Sequence, residues 1–187
     1  MQSINQSIES SRGIITIREA AISDAPQFRE LRLHALQNAP TAFSADYQKN
    51  AGQSMSYWEG RLEKDENSTM FFAEHARELI GMMGIGRGQS AKTKHSAEIY
   101  SVYVRSEWRG LRIAEALVKA CIQWAREREV NIVKLGVLTA STSAIRCYQR
   151  CGFTIYGTEP RGIFYDGHYY DGYLMYRLTD EDSAPHY

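Results

Sequence analysis

The sequence predicts a mixed α/β (α+β) fold, in which a central sheet of about six to seven strands is flanked by about four helices. Two kinds of apolar pattern indicate this class. Short runs rich in β-branched residues and bounded by turn signals predict strands. Longer stretches with apolar residues three and four positions apart predict helices. A helix lies between two of the apolar runs, which predicts a right-handed parallel crossover inside the sheet.

The predicted elements follow one another along the chain. The strands cover residues 14–18, 70–74, 79–86, 97–105, 132–138, 153–157 and 170–178. The first helix begins at Ser23 or Asp24, has Pro26 in its first turn and ends near Gln37. The other predicted helices cover residues 54–64, 112–128 and 142–150. Residues 41–51 are expected to form a loop.

The chain is predicted to form one domain. Residues 1–12 are polar, lack the apolar segment of a secretory signal and are expected to be a disordered leader. The domain covers residues 13–180, and residues 181–187 form a C-terminal tail. Lys and Arg together number 22, as do Asp and Glu, which argues against a general nucleic-acid-binding protein. No apolar run is long enough to span a bilayer, so we expect a cytoplasmic protein without nucleic-acid or membrane partners.

The cysteines and histidines indicate neither a metal site nor a redox site. The chain has three cysteines, Cys121, Cys147 and Cys151, and the last two share a helix face. They are better explained as small apolar side chains in a reducing compartment than as a metal-binding or redox pair. The five histidines lack the spacing of metal ligands, so no metal is predicted.

The most informative stretch is the loop between the strand at residues 97–105 and the helix that follows it. Gly110 lies in this loop, directly before the helix. The first N–H groups of a helix have no intrahelical partners, and the helix dipole adds positive potential at the same end. The arrangement therefore predicts an anion site for a phosphorylated ligand at residues 109–114.

Two motifs of the chain resemble those of the GCN5-related N-acetyltransferase (GNAT) family. The family's pyrophosphate loop reads Arg/Gln-x-x-Gly-x-Gly/Ala, and residues 109–114 read RGLRIA. Its second motif is typically Asn-x-x-Ala-x-x-x-Tyr-x-x-x-Gly-Phe, and residues 141–153 read STSAIRCYQRCGF. Two positions differ, because Arg112 replaces the inner Gly and Ser141 replaces the Asn. The resemblance covers nearly the whole chain and implies the GNAT fold, in which two parallel strands splay apart at their C-terminal ends.

The resemblance also implies acetyl-CoA as the cosubstrate and assigns its contacts. Main-chain groups of Val102, Tyr103 and Val104 are expected to pair with the pantetheine arm, and one N–H group to polarise the thioester carbonyl. The diphosphate is expected at Arg109, Gly110, Leu111, Arg112, Ile113 and Ala114. The Arg112 side chain adds a charge-assisted contact or points to solvent, and the residue is strained if its position needs a positive φ. The Ser141 hydroxyl is expected to cap the next helix, with a bond to the pantetheine arm as the alternative.

Tyr148 and Glu98 are the predicted catalytic residues. A neutral tyrosine can donate a proton to the departing thiolate, and Tyr148 lies four residues before Gly152 of the second motif. The alternative is a tyrosine that packs against the sheet. Glu98 is expected to take the amine proton through water, because family members often use a Glu at about this place. Strand alternation puts Glu98 on the same face as Tyr100 and Val102, and pairing with a basic residue is the alternative role.

The acceptor side is less sharply defined by the sequence. In the resembled family the region after the first helix lines the acceptor pocket. The candidate contacts in that region are Phe43, Tyr47, Tyr57 and Trp58. Each of these aromatics is also explained by simple packing onto the sheet. Further candidate bases or amine contacts, which a polar hairpin explains equally well, are Asp166, His168 and Asp171.

One function is preferred and two alternatives stay open. The preferred function is an acetyl-CoA-dependent N-acetyltransferase that acts on a primary amine of a small or amino-acid-like molecule by direct attack in a ternary complex. A covalent intermediate is not expected, because Cys147 and Cys151 lack a histidine partner. The alternatives are a protein N-terminal or lysine acetyltransferase and a non-catalytic CoA-binding module. Homodimerisation, which is common in such folds, is also considered.

Overall fold

The computed structural model describes residues 4–63 and 65–180 of the chain. Within them, eight strands form one sheet in the order β1-β2-β3-β4-β5-β6-β8-β7. The strands are β1 Asn5–Ser10, β2 Gly13–Glu19, β3 Ser68–His75, β4 Glu78–Arg87, β5 Ser96–Val104, β6 Ile132–Leu138, β7 Thr154–Tyr165 and β8 His168–Leu178. The α-helices are α1 Ala25–Asn38, α2 Tyr47–Ala51, α3 Met55–Gly60, α4 Ile113–Arg126 and α5 Thr142–Arg150. The predicted mixed α/β class is confirmed, with slightly more strands and one more helix than expected.

The sheet separates two apolar clusters. On one face α4 buries Leu117, Cys121 and Trp124 against the strands, because its apolar residues recur at spacings of three and four. On the other face α1 and α3 bury Phe28 and Trp58, whose rings meet edge to face with centroids 5.4 Å apart. We call these the α4 cluster and the α1 cluster. Both clusters include residues from the C-terminal end of β5, so that end of the strand is held from two sides.

The N-terminal segment differs from the expectation of a disordered leader. Residues 5–10 form β1, which pairs antiparallel with β2 from Asn5 to Ser10. The sequence suggests disorder because the segment is polar, but Ile4 and Ile8 lie on one face of the strand and pack into the α4 cluster. Gln6, between them, donates a hydrogen bond to Gln123 of α4 at 2.9 Å. The pairing with β2, the two isoleucines and this hydrogen bond together hold the strand on the sheet. The ends of the chain, residues 1–3 and 181–187, lie outside the described part.

The start of α1 is fastened to the sheet by Arg18. Its guanidinium donates to both carboxylate oxygens of Asp24, at 2.7 and 2.8 Å, and to Glu74 of β3 at 2.8 Å. Asp24 also accepts from the Ala21 amide at 2.8 Å. Burial alone would raise the pKa of Asp24, but the hydrogen bonds from Arg18 and Ala21 outweigh it, so this pKa lies below its ordinary value. These ion pairs of Arg18 fix the start of α1 against β2 and β3, and the α1 cluster is held in place with it.

Several element boundaries also differ from the sequence expectations. The segment expected as a loop contains a 3₁₀ turn at Pro40–Ala42 and the short helix α2, which Asp46 caps by accepting from the Lys49 amide at 2.8 Å. The next helix ends at Gly60 rather than at residue 64, and the β7–β8 hairpin is longer than expected. In contrast, β6 and α5 have the predicted bounds. Among the described residues, no helix is long and apolar enough to cross a membrane.

The splayed parallel pair is formed by β5 and β6. Their register runs only from Ser96 opposite Ile132 to Glu98 opposite Lys134. Both strands continue for several residues beyond this point, while β6 pairs with β8 along its whole length. The C-terminal half of β5 therefore has β4 on one edge and an open wedge on the other.

We predict that Asp24→Asn lowers the free energy of unfolding by about 1–3 kcal/mol at pH 7, because a carboxylate that accepts three hydrogen bonds loses its charge. The folded-state pKa of Asp24 is depressed, so its stabilisation is present above the unfolded pKa of about 3.9 and is lost as the pH falls through the folded-state pKa. Urea unfolding of both proteins from pH 7 downwards checks this, and the difference should shrink in acid. Glu59→Gln, at an exposed carboxylate, should change stability by less than about 0.5 kcal/mol. A difference that does not vary with pH would contradict the assignment.

Candidate active site

The wedge between β5 and β6 is shaped by an irregularity in β5. Tyr100 lies opposite Gly84 and Tyr103 opposite Met82, so two residues of β5 face one residue of β4. This is a β-bulge, and Ser101 occupies it with a φ of +55°. A bulge shifts the alternation of side chains by one residue, so the residues before and after it no longer follow one pattern.

The bulge corrects one sequence expectation about the faces of β5. Glu98 and Tyr100 share the face opposite the α4 cluster, as strand alternation predicts. Val102 was expected with them, but it packs into the α4 cluster together with Val104. Tyr103 points the other way, into the α1 cluster, where its hydroxyl and His34 Nδ1 lie 2.9 Å apart. Ser101 therefore reverses the sidedness of the strand at the wedge.

The main chain of β5 offers donors to the wedge at specific residues. The Arg105 amide donates to the Ile80 carbonyl of β4, and alternate peptide groups of a strand point to opposite edges. The peptide groups of Val104 therefore face the wedge, and those of Tyr103 face β4. The Val104 carbonyl accepts from Arg109 Nε at 3.2 Å. The parallel pairing with β6 ends at Glu98, so the Val104 N–H faces the open wedge and is available to a ligand. Of the three expected main-chain contacts, Tyr103 fits least well, because its groups lie at the edge shared with β4.

The loop before α4 forms an uncapped helix N-terminus. Gly110 has a φ of +81°, and Arg112, the N-cap residue, is left-handed with a φ of +58°. No side chain caps the helix, and its first α-helical bond runs from the Ala116 amide to the Arg112 carbonyl. The N–H groups of residues 113–115 therefore lack intrahelical partners, as an anion site requires. Ile113 is buried and Leu111 packs beside it, so the α4 cluster anchors the turn.

Arg112 occupies a position that favours glycine. The left-handed region costs a residue with a side chain roughly 1–2 kcal/mol, and the family's motif has Gly at this position. The expectation of strain at a positive φ is therefore met. The Arg112 side chain is exposed, and no described residue forms a hydrogen bond or ion pair with it. The residue contributes a main-chain N–H to the turn whatever its side chain does.

Tyr148 of α5 lies in the α4 cluster, next to the wedge. Its side chain is 5% exposed, and its ring centroid is 6.1 Å from that of Phe153. The same cluster contains Val104 of β5 and Leu135 of β6, the two strands that form the wedge. Burial raises the pKa of Tyr148 well above that of a free phenol, so the hydroxyl stays protonated at neutral pH.

The expectation that Ser141 caps α5 is wrong. Ser141 occupies the N-cap position, but its side chain makes no capping hydrogen bond. Its backbone, with φ −84° and ψ 59°, departs from the extended conformation that a capping side chain usually has. The hydroxyl is therefore free to bond a ligand at this end of β6.

The structure separates the acceptor candidates into three groups. Phe43, Tyr47 and Trp58 pack in or against the α1 cluster, and Trp58 is fully buried there, so the packing explanation holds for it. Tyr57 is 40% exposed. Asp166 and His168 lie in the exposed turn of the β7–β8 hairpin, where His168 Nδ1 and the Asp166 carbonyl are 2.7 Å apart. The 3₁₀ turn at Pro40–Ala42, just before Phe43, lies against β6 and β7 and so reaches the wedge.

Asp171 and Glu98 have different surroundings. Asp171 accepts from the Arg161 amide at 2.7 Å, and its carbonyl accepts from the Thr139 amide at 3.0 Å. These bonds tie the hairpin to the end of β6. Glu98 is exposed at the point where the parallel pairing ends, and it has no hydrogen-bond or ion-pair partner among residues 4–63 and 65–180. The alternative of a strand-end ion pair therefore finds no support there.

Two arginines on or beside α1 and α3 are missing from the sequence interpretation. Arg32 is buried within the apolar stripe of α1, between Phe28 and Ala35, and an arginine at such a position is the signal that identifies it. Arg61 lines a cleft of about 280 Å³ together with Tyr100 of β5. Neither residue belongs to a recognised motif.

Comparison with known proteins identifies the family. The model of the acetyltransferase (GNAT) family matches residues 29–153, a stretch that contains both motifs. An L-amino acid N-acetyltransferase of Escherichia coli is 28% identical over 125 residues, covering 65% of this chain and 75% of that protein. An L-methionine sulfoximine/L-methionine sulfone acetyltransferase of Pseudomonas paraeruginosa is 23% identical over 171 residues, covering 91% and 98%.

A solved structure supports the fold independently. The structure of a Salmonella typhimurium acetyltransferase with its cofactor acetyl-CoA matches with a TM-score of 0.73, at 22% identity, over 92% of this chain and 98% of that one. Sequence motifs, the splayed strand pair and the overall fold agree with the family model. The chain is therefore a member of the GNAT family of acetyltransferases.

Proposed function

We propose that the protein is an acetyl-CoA-dependent N-acetyltransferase that acetylates a primary amine of a small, amino-acid-like molecule. The observation that carries this proposal is the open wedge between β5 and β6, which leads to the uncapped N-terminus of α4. The amino-acid acceptors named for the two relatives support the acceptor class.

The donor fits the wedge through main-chain groups. The diphosphate binds the N–H groups of residues 113–115, where the helix dipole favours negative charge. The pantetheine arm adds to the open edge of β5 and pairs with the free N–H of Val104, in the manner of an added strand. The Ser141 hydroxyl bonds the arm from the side of β6. The residues at the wedge thus supply hydrogen-bond donors at the positions where acetyl-CoA has hydrogen-bond acceptors.

The chemistry is a direct transfer in a ternary complex. The acceptor amine reaches the thioester from the face of Glu98 and Tyr100, and Glu98 takes its proton through water. The neutral amine attacks the thioester carbonyl, whose developing negative charge is stabilised by an N–H of β5 at the bulge. When the carbon–sulfur bond breaks, the thiolate takes a proton from Tyr148, and the tyrosinate regains a proton as the acylated nitrogen loses its extra proton to form the neutral amide. Burial raises the pKa of Tyr148, so its hydroxyl is protonated and able to donate when the thiolate forms.

A screen of primary amines with acetyl-CoA, read as release of free thiol, tests the proposed function. Amino acids and amino-acid-like amines should be acetylated, and the product should be the N-acetyl compound by mass spectrometry. A chain that binds CoA but acetylates none of the amines would contradict the proposal.

We predict that Tyr148→Phe lowers kcat by about 10²-fold, because it removes the proton donor to the thiolate. The KM for acetyl-CoA should change less than about threefold, since the ring and its packing are kept. Steady-state kinetics checks both values. Tyr156→Phe, which removes a hydroxyl from a side chain that is 53% exposed on β7, is the matched control and should leave kcat unaltered. An unchanged kcat in Tyr148→Phe would reject its role as the acid.

We predict that Gly110→Pro raises the dissociation constant for CoA at least tenfold. Proline fixes φ near −65° and has no N–H, whereas Gly110 has a φ of +81°. Gly110→Ala keeps the N–H, and nothing lies within 4 Å of an added Cβ, so its loss should come from the strain of a positive φ alone and be smaller than that of the proline variant. Calorimetric titration with CoA measures all three proteins. Equal affinities for the proline variant and the parent would count against the site.

We also predict that Arg112→Gly binds CoA within about threefold of the parent and gains up to about 1 kcal/mol in the free energy of unfolding. The substitution removes left-handed strain and keeps the main-chain N–H. Titration and urea unfolding measure the two effects. A tenfold weaker binding would instead show that the guanidinium contacts the diphosphate.

A further inference from the structure

The guanidinium of Arg32 is a buried charge without a counter-ion. The residue is 6% exposed, and its Nε and Nη1 atoms are buried without a hydrogen-bond partner. Among residues 4–63 and 65–180, no carboxylate forms an ion pair with it. Burial, followed by the nearby charge of Arg61, lowers the pKa of Arg32 to about 10, so the side chain remains charged at neutral pH. An unpaired buried charge costs stability, so its presence needs an explanation.

The surroundings of Arg32 hold aromatic rings and a second cation. Its guanidinium carbon lies 4.3 Å from the centre of the Phe43 ring. Arg61, close enough to depress the pKa of Arg32, lies over the rings of Phe28 and Trp58, at 5.0 and 5.7 Å from their centres. The Nε1 atom of Trp58 is also buried without a partner. In the corner between α1, Phe43 and α3, the buried donors of Arg32 and Trp58 therefore have no acceptor among the described residues. Arg61 also lines a cleft whose wall includes the carboxylates of Glu19, Glu63, Asp65, Glu66 and Glu127, so the missing negative charge is that of Arg32 alone.

This corner adjoins the acceptor side of the wedge. Arg61 lines the cleft that also contains Tyr100, which shares its β5 face with Glu98. Phe43 directly follows the 3₁₀ turn that lies against β6 and β7. A small molecule whose amine lies near Glu98 would therefore extend towards Arg61 and Arg32.

We propose that Arg32, assisted by Arg61, forms a subsite for the carboxylate of an amino-acid acceptor, a proposal that rests on the proposed acetyltransferase function. A carboxylate accepts two parallel hydrogen bonds from one guanidinium, and it supplies the negative charge that Arg32 lacks. Aromatic walls exclude water and strengthen the interaction.

Kinetics with matched acceptors tests the subsite. The acceptors are an amino acid that the protein acetylates, its carboxamide and its decarboxylated amine. Arg32→Met should lower kcat/KM for the amino acid at least thirtyfold, mainly through KM, and change the other two acceptors and the KM for acetyl-CoA less than threefold. Arg32→Lys keeps the charge but loses the two parallel N–H groups of the guanidinium, so its kcat/KM for the amino acid should lie between those of Arg32→Met and the parent. Arg29→Met, on the same helix but bonded to the Ala51 carbonyl, is the control and should match the parent.

Two kinetic outcomes would overturn the subsite while the proposed function stands. One is an equal loss for all three acceptors in Arg32→Met, which would make the effect structural. The other is a parent protein that acetylates decarboxylated amines and no amino acid. If the parent acetylates no amine at all, the proposed function fails first, and the subsite is then decided by binding alone.

Thermal unfolding supplies the readout that does not need turnover. Without ligand, Arg32→Met should melt about 2–5 °C above the parent, because an unpaired buried charge is removed. An N-acetyl amino acid in the presence of CoA should raise the melting temperature of the parent and not that of the variant. A variant that melts below the parent and keeps the full ligand shift would show that Arg32 has a structural partner and would refute the proposal.

Discussion

The architecture depends on the end of pairing between β5 and β6. Two parallel strands that stayed paired to their ends would satisfy each other's peptide groups and leave no room for a ligand. Here the register stops after Glu98 and Lys134, and β6 remains paired with β8. The open edge of β5 is therefore stable without a protein partner, because β4 and the two apolar clusters hold the strand. The wedge can form because the neighbouring strands and the two apolar clusters stabilise β5 in the absence of further main-chain hydrogen bonds to β6.

A second constraint is the bulge at Ser101. It reverses the sidedness of β5, so that Val102 and Val104 join the α4 cluster and Tyr103 joins the α1 cluster. The proposed donor side, with Tyr148 and the N-terminus of α4, and the proposed acceptor side, with Glu98, Tyr100 and the two arginines, thereby meet at one short segment. In the proposed mechanism the thioester would lie at this segment, where groups from both faces reach it.

The sequence predicts the stretch from β6 to α5 better than the segments whose structure depends on distant contacts. The bounds of β6 and α5 are correct, because a β-branched run and a short helix followed by Gly152 give clear signals. The helix α4 begins one residue later than predicted, because Arg112 adopts a left-handed backbone. A glycine at this position would have indicated that conformation, and an arginine does not. The bulge at Ser101 has no such signal either, since nothing in an apolar run marks an extra residue.

The features that the sequence does not predict depend on contacts between distant segments. On the α4 side of the sheet, the segment at residues 4–10 contributes Ile4 and Ile8 to a cluster with α4, more than a hundred positions away, and a polar segment gives no local signal of such a contact. Arg32 is unpaired because the aromatic ring of Phe43 lies against its guanidinium, and α1 and α3 place no described carboxylate beside it. Periodicity can place an arginine on a buried stripe, but it cannot tell whether a partner comes from elsewhere in the chain.

The central claim is that the open edge of β5 and the N-terminus of α4 bind the donor through their main chains. Amide hydrogen exchange in the presence and absence of CoA measures these groups directly. Peptides that cover residues 102–105 and 110–116 should become protected, while peptides from the β7–β8 turn should not change. Unchanged exchange in both segments at saturating CoA would contradict the account.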